Sequence, residues 1–338
     1  MVQAFSLKEI ALQAGVSLAT VDRVLHQREH VRTATRVRVE QALVELERQR
    51  QQVGRQGRRL LIDVVMETPE RFSRLALSAL ARVFERVQPV ALRARDHVAE
   101  TWPLASLIER LDAIARRGSH GVLLKAPHVP EVVAAVQRLH ARGIPVVTLA
   151  TDLETAPRLA YVGMDNTCAG QTAAYLMAQW LGPEAVEVLV SSSGSHFLGE
   201  GQRVRAFSDT LGLLRPDCTV HVQHDGKGLF DSTLAAATRL LQQRPLLAAV
   251  YSVGGANAAV VRAFAQSGRV CRVFIGHDLD DDNRHLLHKG QLQAVLHHDL
   301  EHDLHEACLC FMNAQGIPTP VLKPMLSRPE VITPYNVP

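Results

Sequence analysis

The chain has 338 residues, enough for two or three domains. Hydrophobic residues make up 47% and charged residues 21%, ordinary for a soluble globular protein, and no run approaches the ~18 consecutive apolar residues of a membrane span. The net charge of +3 conceals a split: residues 1–60 hold 11 Lys+Arg against 6 Asp+Glu, and the remaining 278 hold 26 against 28. A basic head on a slightly acidic body points to a polyanionic partner for the head.

Lys8 and Glu9 interrupt any apolar signal core, so no secretory leader is expected. The five cysteines, Cys168, Cys218, Cys271, Cys308 and Cys310, are scattered and fit a reducing compartment. Cys308-x-Cys310 lacks the second pair that a structural zinc site needs. A cytoplasmic protein is expected, with no cofactor and no metal.

Three helices are predicted in residues 6–46. Ser6 and Glu9 have capping-box spacing ahead of Ile10, Ala11 and Ala14. Gly15 ends that helix, and Ser17 caps a second one running to Leu25, with Val21, Val24 and Leu25 inward. Thr33 or Thr35 opens a third, with Val39, Ala42, Leu43 and Leu46 at i, i+3, i+4, i+7. This is helix-turn-helix spacing, although a plain three-helix bundle has the same pattern. Leu18 and Ala19, at the outer start of the second helix, suit thymine methyls in a major groove; Arg23 can fork onto guanine; Ser17 and Thr20 can reach phosphates.

The stretch LKEIALQAGVSLATVDRVLHQREHVRTATRVRVEQALVEL resembles the DNA-binding head of the LacI/GalR family of bacterial repressors, matching A-x-x-A-G-V-S-x-x-T-V-x-R-V-L from Ala11 to Leu25. The resemblance implies base contacts from Leu18, Ala19 and Arg23, and backbone contacts from Ser17, Thr20 and His26. Asp22 departs from the commoner Ser. It can pair with Arg23 or His26, accept from cytosine, or stand solvated. Residues 47–59, ERQRQQVGRQGRR, hold five Arg and no Leu or Pro, where the family carries an Ala/Leu-rich hinge helix. Their composition predicts a flexible basic tether, with Val53 as the one apolar wedge for a minor groove.

From residue 60, short apolar runs alternate with amphipathic helices: LLIDVVM, GVLLKAP, GIPVVTLAT, YVGMDN, AVEVLVSSS, CTVHVQH, LLAAVYSV, CRVFIGHDL and QAVLHHD. Such alternation predicts an α/β body of parallel sheets covered on both faces. Two doubly wound lobes are expected, about 60–164 with 297–323 and 165–296 with 324–338, with ligand beyond the strand C-termini. Lys125, Asp152, Asn166, the Ser191–Ser195 loop, Asn257, Asp278 and His298 follow strands and suit a neutral polyhydroxylated ligand. Phe72 and Phe197 are the favoured stacking residues over Trp102 and Phe230. His298, His302 and His305 share helical spacing, but a solvated face is the expected reading rather than a metal site.

From about Leu60 to Asn336 the body resembles the type 1 periplasmic-binding-protein fold, through GIPVVTLATDL, YVGMDNTCAG, GEGQRVRAF, FIGHDL, AVLHHD and PEVITPYN. This implies that Arg203 clamps ligand, that Asp278 and Asp152 accept from it, and that His298 stands where sugar binders often use Gln. Asn257 is a looser match, because SVGGAN departs from the commoner Asn-Asp pattern. Asp165 and Asn166 are expected to cap a helix.

Three functions compete: a ligand-responsive repressor, a transport sugar-binding protein, and an α/β enzyme with an unrelated helical head. Transport conflicts with the basic head and missing leader. The enzyme finds no G-x-S-x-G, H-E-x-x-H or phosphate-loop pattern. The expectation is therefore a homodimer, without membrane attachment, that binds a near-palindromic double-stranded operator and a sugar or polyol effector.

Overall fold

The computed structural model describes residues 5–26, 28, 31–55, 58–320 and 326–338, with backbone alone for 47–55. It comprises a helical head and an α/β body.

The head holds α1 (Leu7–Ala14), α2 (Leu18–Leu25) and α3 (Thr33–Arg55). Ser6 and Glu9 form the full capping box, an arrangement typically contributing about 1 kcal/mol. Gly15 adopts φ 62°, and its N–H closes the last turn of α1, a conformation that costs other residues more. Ile10, Val21 and Val39, one from each helix, are completely buried at the centre, with Ala11, Ala14, Val24 and Ala42 around them.

The tether expectation is corrected at its N-terminal side: α3 continues without a break to Arg55. Gln and Arg are good helix formers and no Pro interrupts them, so low hydrophobicity did not preclude helix here. Residues 56 and 57 of the expected linker lie outside the described residues.

The body's first sheet contains β1 (Arg59–Glu67), β2 (Ala91–Ala99), β3 (Gly121–Lys125), β4 (Val146–Leu149) and β5 (Ala160–Val162) in the order β2-β1-β3-β4-β5. Its helices are α4 (Glu70–Arg86), α5 (Leu104–Arg117) and α6 (Pro130–Ala141). The central strands pair in parallel, with Met66 opposite Lys125 and Val147 opposite Ala160. Val122, Leu123 and Leu124 are buried, each such side chain gaining roughly 1.5–3 kcal/mol by leaving water.

The second lobe carries α7 (Asn166–Trp180), β6 (Glu187–Ser191), α8 (Leu198–Leu214), β7 (Thr219–Gln223), α9 (Phe230–Gln243), β8 (Leu247–Ser252), α10 (Asn257–Gln266), β9 (Val273–His277), α11 (Asp281–His288) and β10 (Ala294–His297). After β10 the chain returns to the first lobe as α12 (Leu300–Ala314), then closes the second sheet with β11 (Glu330–Ile332). The order there is β11-β10-β9-β8-β6-β7, parallel except for β11 against β10. The expected lobe boundary at 323/324 falls outside the described residues.

Both β2 and α5 are absent from the sequence expectation. The edge strand β2 reads ALRARDHVA, too charged for the buried pattern of its neighbours. Its charges serve Asp63, which is fully buried on β1. Arg95 pairs with that carboxylate through Nε at 3.0 Å and a terminal nitrogen at 2.6 Å; His97 Nε2 lies at 2.9 Å and Arg117 of α5 at 2.6 Å. Burial pushes the Asp63 carboxyl up, but hydrogen bonds from Arg95, Ser119 and His97 outweigh it and hold the pKa below its ordinary value.

Candidate functional site

Two surfaces stand out, one on each unit. In the head, Ser17 Oγ accepts from the Thr20 N–H at 3.2 Å and lies 2.8 Å from Thr20 Oγ1, which fixes the first turn of α2. Val21 and Val24 turn inward, leaving Leu18 (46% exposed), Ala19, Arg23 and His26 outward. Asp22 pairs with His26 Nδ1 and with Arg28, each at 3.0 Å, and not with Arg23. That leaves the Arg23 fork unclaimed by Asp22.

In the body, the C-terminal ends of both sheets face a cavity of about 410 Å³. The first lobe contributes Glu67, Arg71, Phe72, Trp102, Lys125 and Thr151; the second contributes Ser193 to Phe197, Glu200, Arg203, Gly254, Gly255, His277, Asp278 and Asp280. Lys125 ends β3, with its Nζ 4.6 Å from the Phe197 ring centre and 5.5 Å from that of Phe72. Its Nζ makes a long hydrogen bond, 3.4 Å to the Glu67 carbonyl. Burial lowers the Lys125 pKa, opposed by Glu200 and Asp278. Burial likewise raises the Glu67 carboxyl.

Arg203, on α8, is buried. Its Nε donates to Asn166 Oδ1 at 2.7 Å and one terminal nitrogen to the Val253 carbonyl at 3.1 Å, which uses two of the five donors a guanidinium carries. Glu200, one turn earlier, accepts from Ser192 Oγ, Ser193 N–H and Ser193 Oγ at 2.5–2.8 Å, holding the loop that carries Phe197. His277 lies 2.7 Å from the Tyr251 hydroxyl, while its buried Nδ1 has no hydrogen-bond partner among the described residues. Burial first, then the Arg203 charge, push its pKa well below the ordinary value, so the ring is neutral. Asp280 caps α11, and burial lifts its pKa to about 6.

Backbone strain collects here too. Ala150, Lys227 and Asp278 have positive φ and line the cavity, and Ala256, also positive, follows the lining Gly255. Non-glycine residues in this region cost of order 1–3 kcal/mol each and gather at ligand clamps. The chemistry is that of aromatic faces beside directed donors and acceptors, which can stack a small ring and bond several hydroxyls.

Comparison with known families gives two matches. The lacI family of bacterial regulatory proteins matches residues 6–50, and the periplasmic binding protein domain matches residues 98–302. The chain belongs to the LacI/GalR family. No curated protein matches it. Among solved structures, the body is similar to GanP, a glucose-galactose binding protein from Geobacillus stearothermophilus, at 20% identity over 83% of this chain and 99% of that one, with TM-score 0.73. It is also similar to an ABC transporter solute binding protein from Agrobacterium vitis bound with alpha-D-tagatopyranose. That match has 15% identity over 82% and 95% of the chains and TM-score 0.72. The structural similarity at these low identities shows a shared fold alone.

Set against this LacI/GalR framework, the expected effector residues divide. Phe72, Lys125, Phe197, Arg203 and Asp278 come together around the cavity; Phe72 sits in the first turn of α4, not in a loop. Three do not line it, each because a neighbour holds its side chain. Asp152 is paired with Arg158 and bonded to Thr148 Oγ1 and the Leu153 N–H. Asn257 donates to Asn283 at 2.7 Å. His298 is buried with Nδ1 2.5 Å from Asp303, and its Nε2 is 4.0 Å from Asp278. Asp303 in turn accepts from Ser327, whose backbone joins Gly163 and Asp165, so three lobe-connecting segments meet there. Asp165 caps α7 as expected, while Asn166 binds Arg203. Trp102, rated below Phe72, lines the cavity, and Phe230 does not.

Arg71, Glu200, His277 and Asp280 were not anticipated. Each abuts a residue or motif already singled out: Arg71 precedes Phe72, Glu200 lies in GEGQRVRAF, and His277 and Asp280 flank Asp278. His302 and His305 form no metal-binding group among the described residues.

Proposed function

We propose that this chain is a sequence-specific DNA-binding transcriptional repressor whose operator affinity is set by a small sugar or polyol bound between the two lobes. One observation carries the reading: a single chain joins an outward α2 surface of Leu18, Ala19 and Arg23 to an inward cavity of aromatic rings and directed polar groups. Ser17, Thr20 and His26 hold phosphates; Leu18 and Ala19 pack on thymine methyls; Arg23 forks onto guanine. In the cavity, Phe72 and Phe197 flank the ligand ring, and Lys125, Arg203 and Asp278 bond its hydroxyls. The solved neighbours named for glucose, galactose and tagatose support a hexose-sized ligand.

The protein works as a cytoplasmic homodimer on a near-palindromic operator, since paired heads address two half-sites. Ligand prefers one lobe angle, and that differential affinity changes operator binding. No turnover is part of this function.

The test has two arms. Duplexes selected from a random pool supply the operator, and pentoses, hexoses and cyclitols are screened by thermal shift. A sugar that raises the melting temperature of the body and changes anisotropy-measured operator affinity is the expected result. Selection without enrichment, or chemical conversion of the bound sugar, would overturn it.

A further inference from the structure

The Gly254-Gly255 pair lines the cleft, and its contacts there explain why both positions are bare. Arg71, in the first turn of α4, reaches from the first lobe to the second. Its guanidinium donates to the Gly228 carbonyl at 2.9 Å and the Gly254 carbonyl at 3.2 Å, and its Nε lies 3.4 Å from an Asp280 carboxylate oxygen. Gly255, at φ 87°, lies beneath the guanidinium: a Cβ there would come within 1.9 Å of an Arg71 nitrogen. Gly228, at φ 65°, is equally confined, since a Cβ would meet Pro69 of the first lobe at 3.0 Å and the Gly254 carbonyl at 2.9 Å. A Cβ on Gly254 would strike the Ser193 N–H at 2.2 Å.

We infer that Arg71 is a latch that holds the two lobes together, and that Gly228, Gly254, Gly255 and Asp280 form its socket. The fork geometry of guanidinium suits two carbonyls and a carboxylate at once, which a lysine ammonium cannot reproduce. Glycine is required because the backbone must come close enough for its carbonyls to accept and because φ is positive at two of the three positions. The latch sits at the rim of the same cavity, so it sets the lobe angle for whatever occupies the cavity. It holds whether or not that occupant is a sugar. The second lobe thus gives up side chains at 254 and 255 in exchange for closure.

The test is amide hydrogen exchange on the full chain with no sugar added, which reports local opening. The reporters are Leu229 N–H, bonded to Gly226, and Val253 N–H, bonded to Ser191. Peptides spanning 226–230 and 252–257 are compared for the unaltered chain, Arg71→Met, Gly255→Ala and the double variant. Each single change should speed exchange in both peptides by about tenfold or more. The strands β1 and β6 should be unaffected, and the double variant should exceed neither single by much. Arg71→Lys should fall between. Unchanged exchange in both peptides, or faster exchange spread equally through β1 and β6, overturns the latch.

Discussion

Asp63 and Lys125 sit on neighbouring strands of one sheet, and their surroundings are opposite. Asp63, mid-strand on β1, is fully buried and ringed by Arg95, His97 and Arg117. Lys125, at the C-terminal end of β3, rests on two phenyl rings with one long bond to a carbonyl. Removing one partner from a buried, paired charge is strongly destabilising, whereas a charge left without partners already costs stability and persists for another reason. The sheet is therefore finished at its middle and left unsatisfied at its cleft end.

Substitutions can break this contrast. The largest effect is expected from Asp63→Asn, which strands the Arg95 and Arg117 guanidiniums around a neutral amide. Denaturant unfolding should show a loss of about 3 kcal/mol, less than a fully buried pair would give because Arg95 and Arg117 are partly solvated. Because the folded-state pKa of Asp63 is lowered, its contribution is complete above the unfolded carboxylate value of about 3.9 and disappears as pH falls below it. The asparagine variant should lack that acid limb.

Arg203→Ala comes next. A sugar identified by thermal shift should bind about a hundredfold more weakly by calorimetry, with operator affinity retained. Unchanged calorimetric affinity would remove Arg203 from the site. Arg23→Ala should cost about 1–3 kcal/mol at one base pair and relax selectivity there. Uniform weakening across all sequences would instead mark Arg23 as a phosphate contact. The smallest stability effect is expected from Lys125→Met, which sharpens the contrast with Asp63. Removing an ammonium that makes no close ion pair among the described residues should leave stability unchanged or raise it by about 1 kcal/mol while sugar affinity falls. A stability loss as large as that of Asp63→Asn would erase the distinction.

The same contrast explains what could be read from sequence. Helix caps at Ser6 and Ser17 and the apolar strands are local patterns with fixed periods, and they reappear in the fold. The strand β2 was missed because its Arg95 and His97 are spent on Asp63, a long-range pairing with no local signature. The helical run to Arg55 was missed because polar composition is a poor guide to backbone conformation when helix propensity is high. At the cleft, the rule that ligands sit beyond parallel strands pointed to loops that line the cavity. It could not tell a side chain facing the cavity from one already held by a neighbour. Asp152, Asn257 and His298 follow strands just as Asp278 does, but Arg158, Asn283 and Asp303 hold them.

The return of α12 to the first lobe also bears on how the chain is made. Gly121 is bare so that Phe311 can press against β3: a Cβ at 121 would fall 2.3 Å from that ring. Glu301 likewise pairs with Arg82 and Arg86 of α4. On the ribosome, β3 and α4 emerge long before α12 is synthesised, so one face of the nascent first lobe waits uncovered while most of the second lobe is translated. Neither lobe can be finished as a separate N-terminal piece. A chain truncated before residue 300 would leave that apolar face permanently open to other nascent chains.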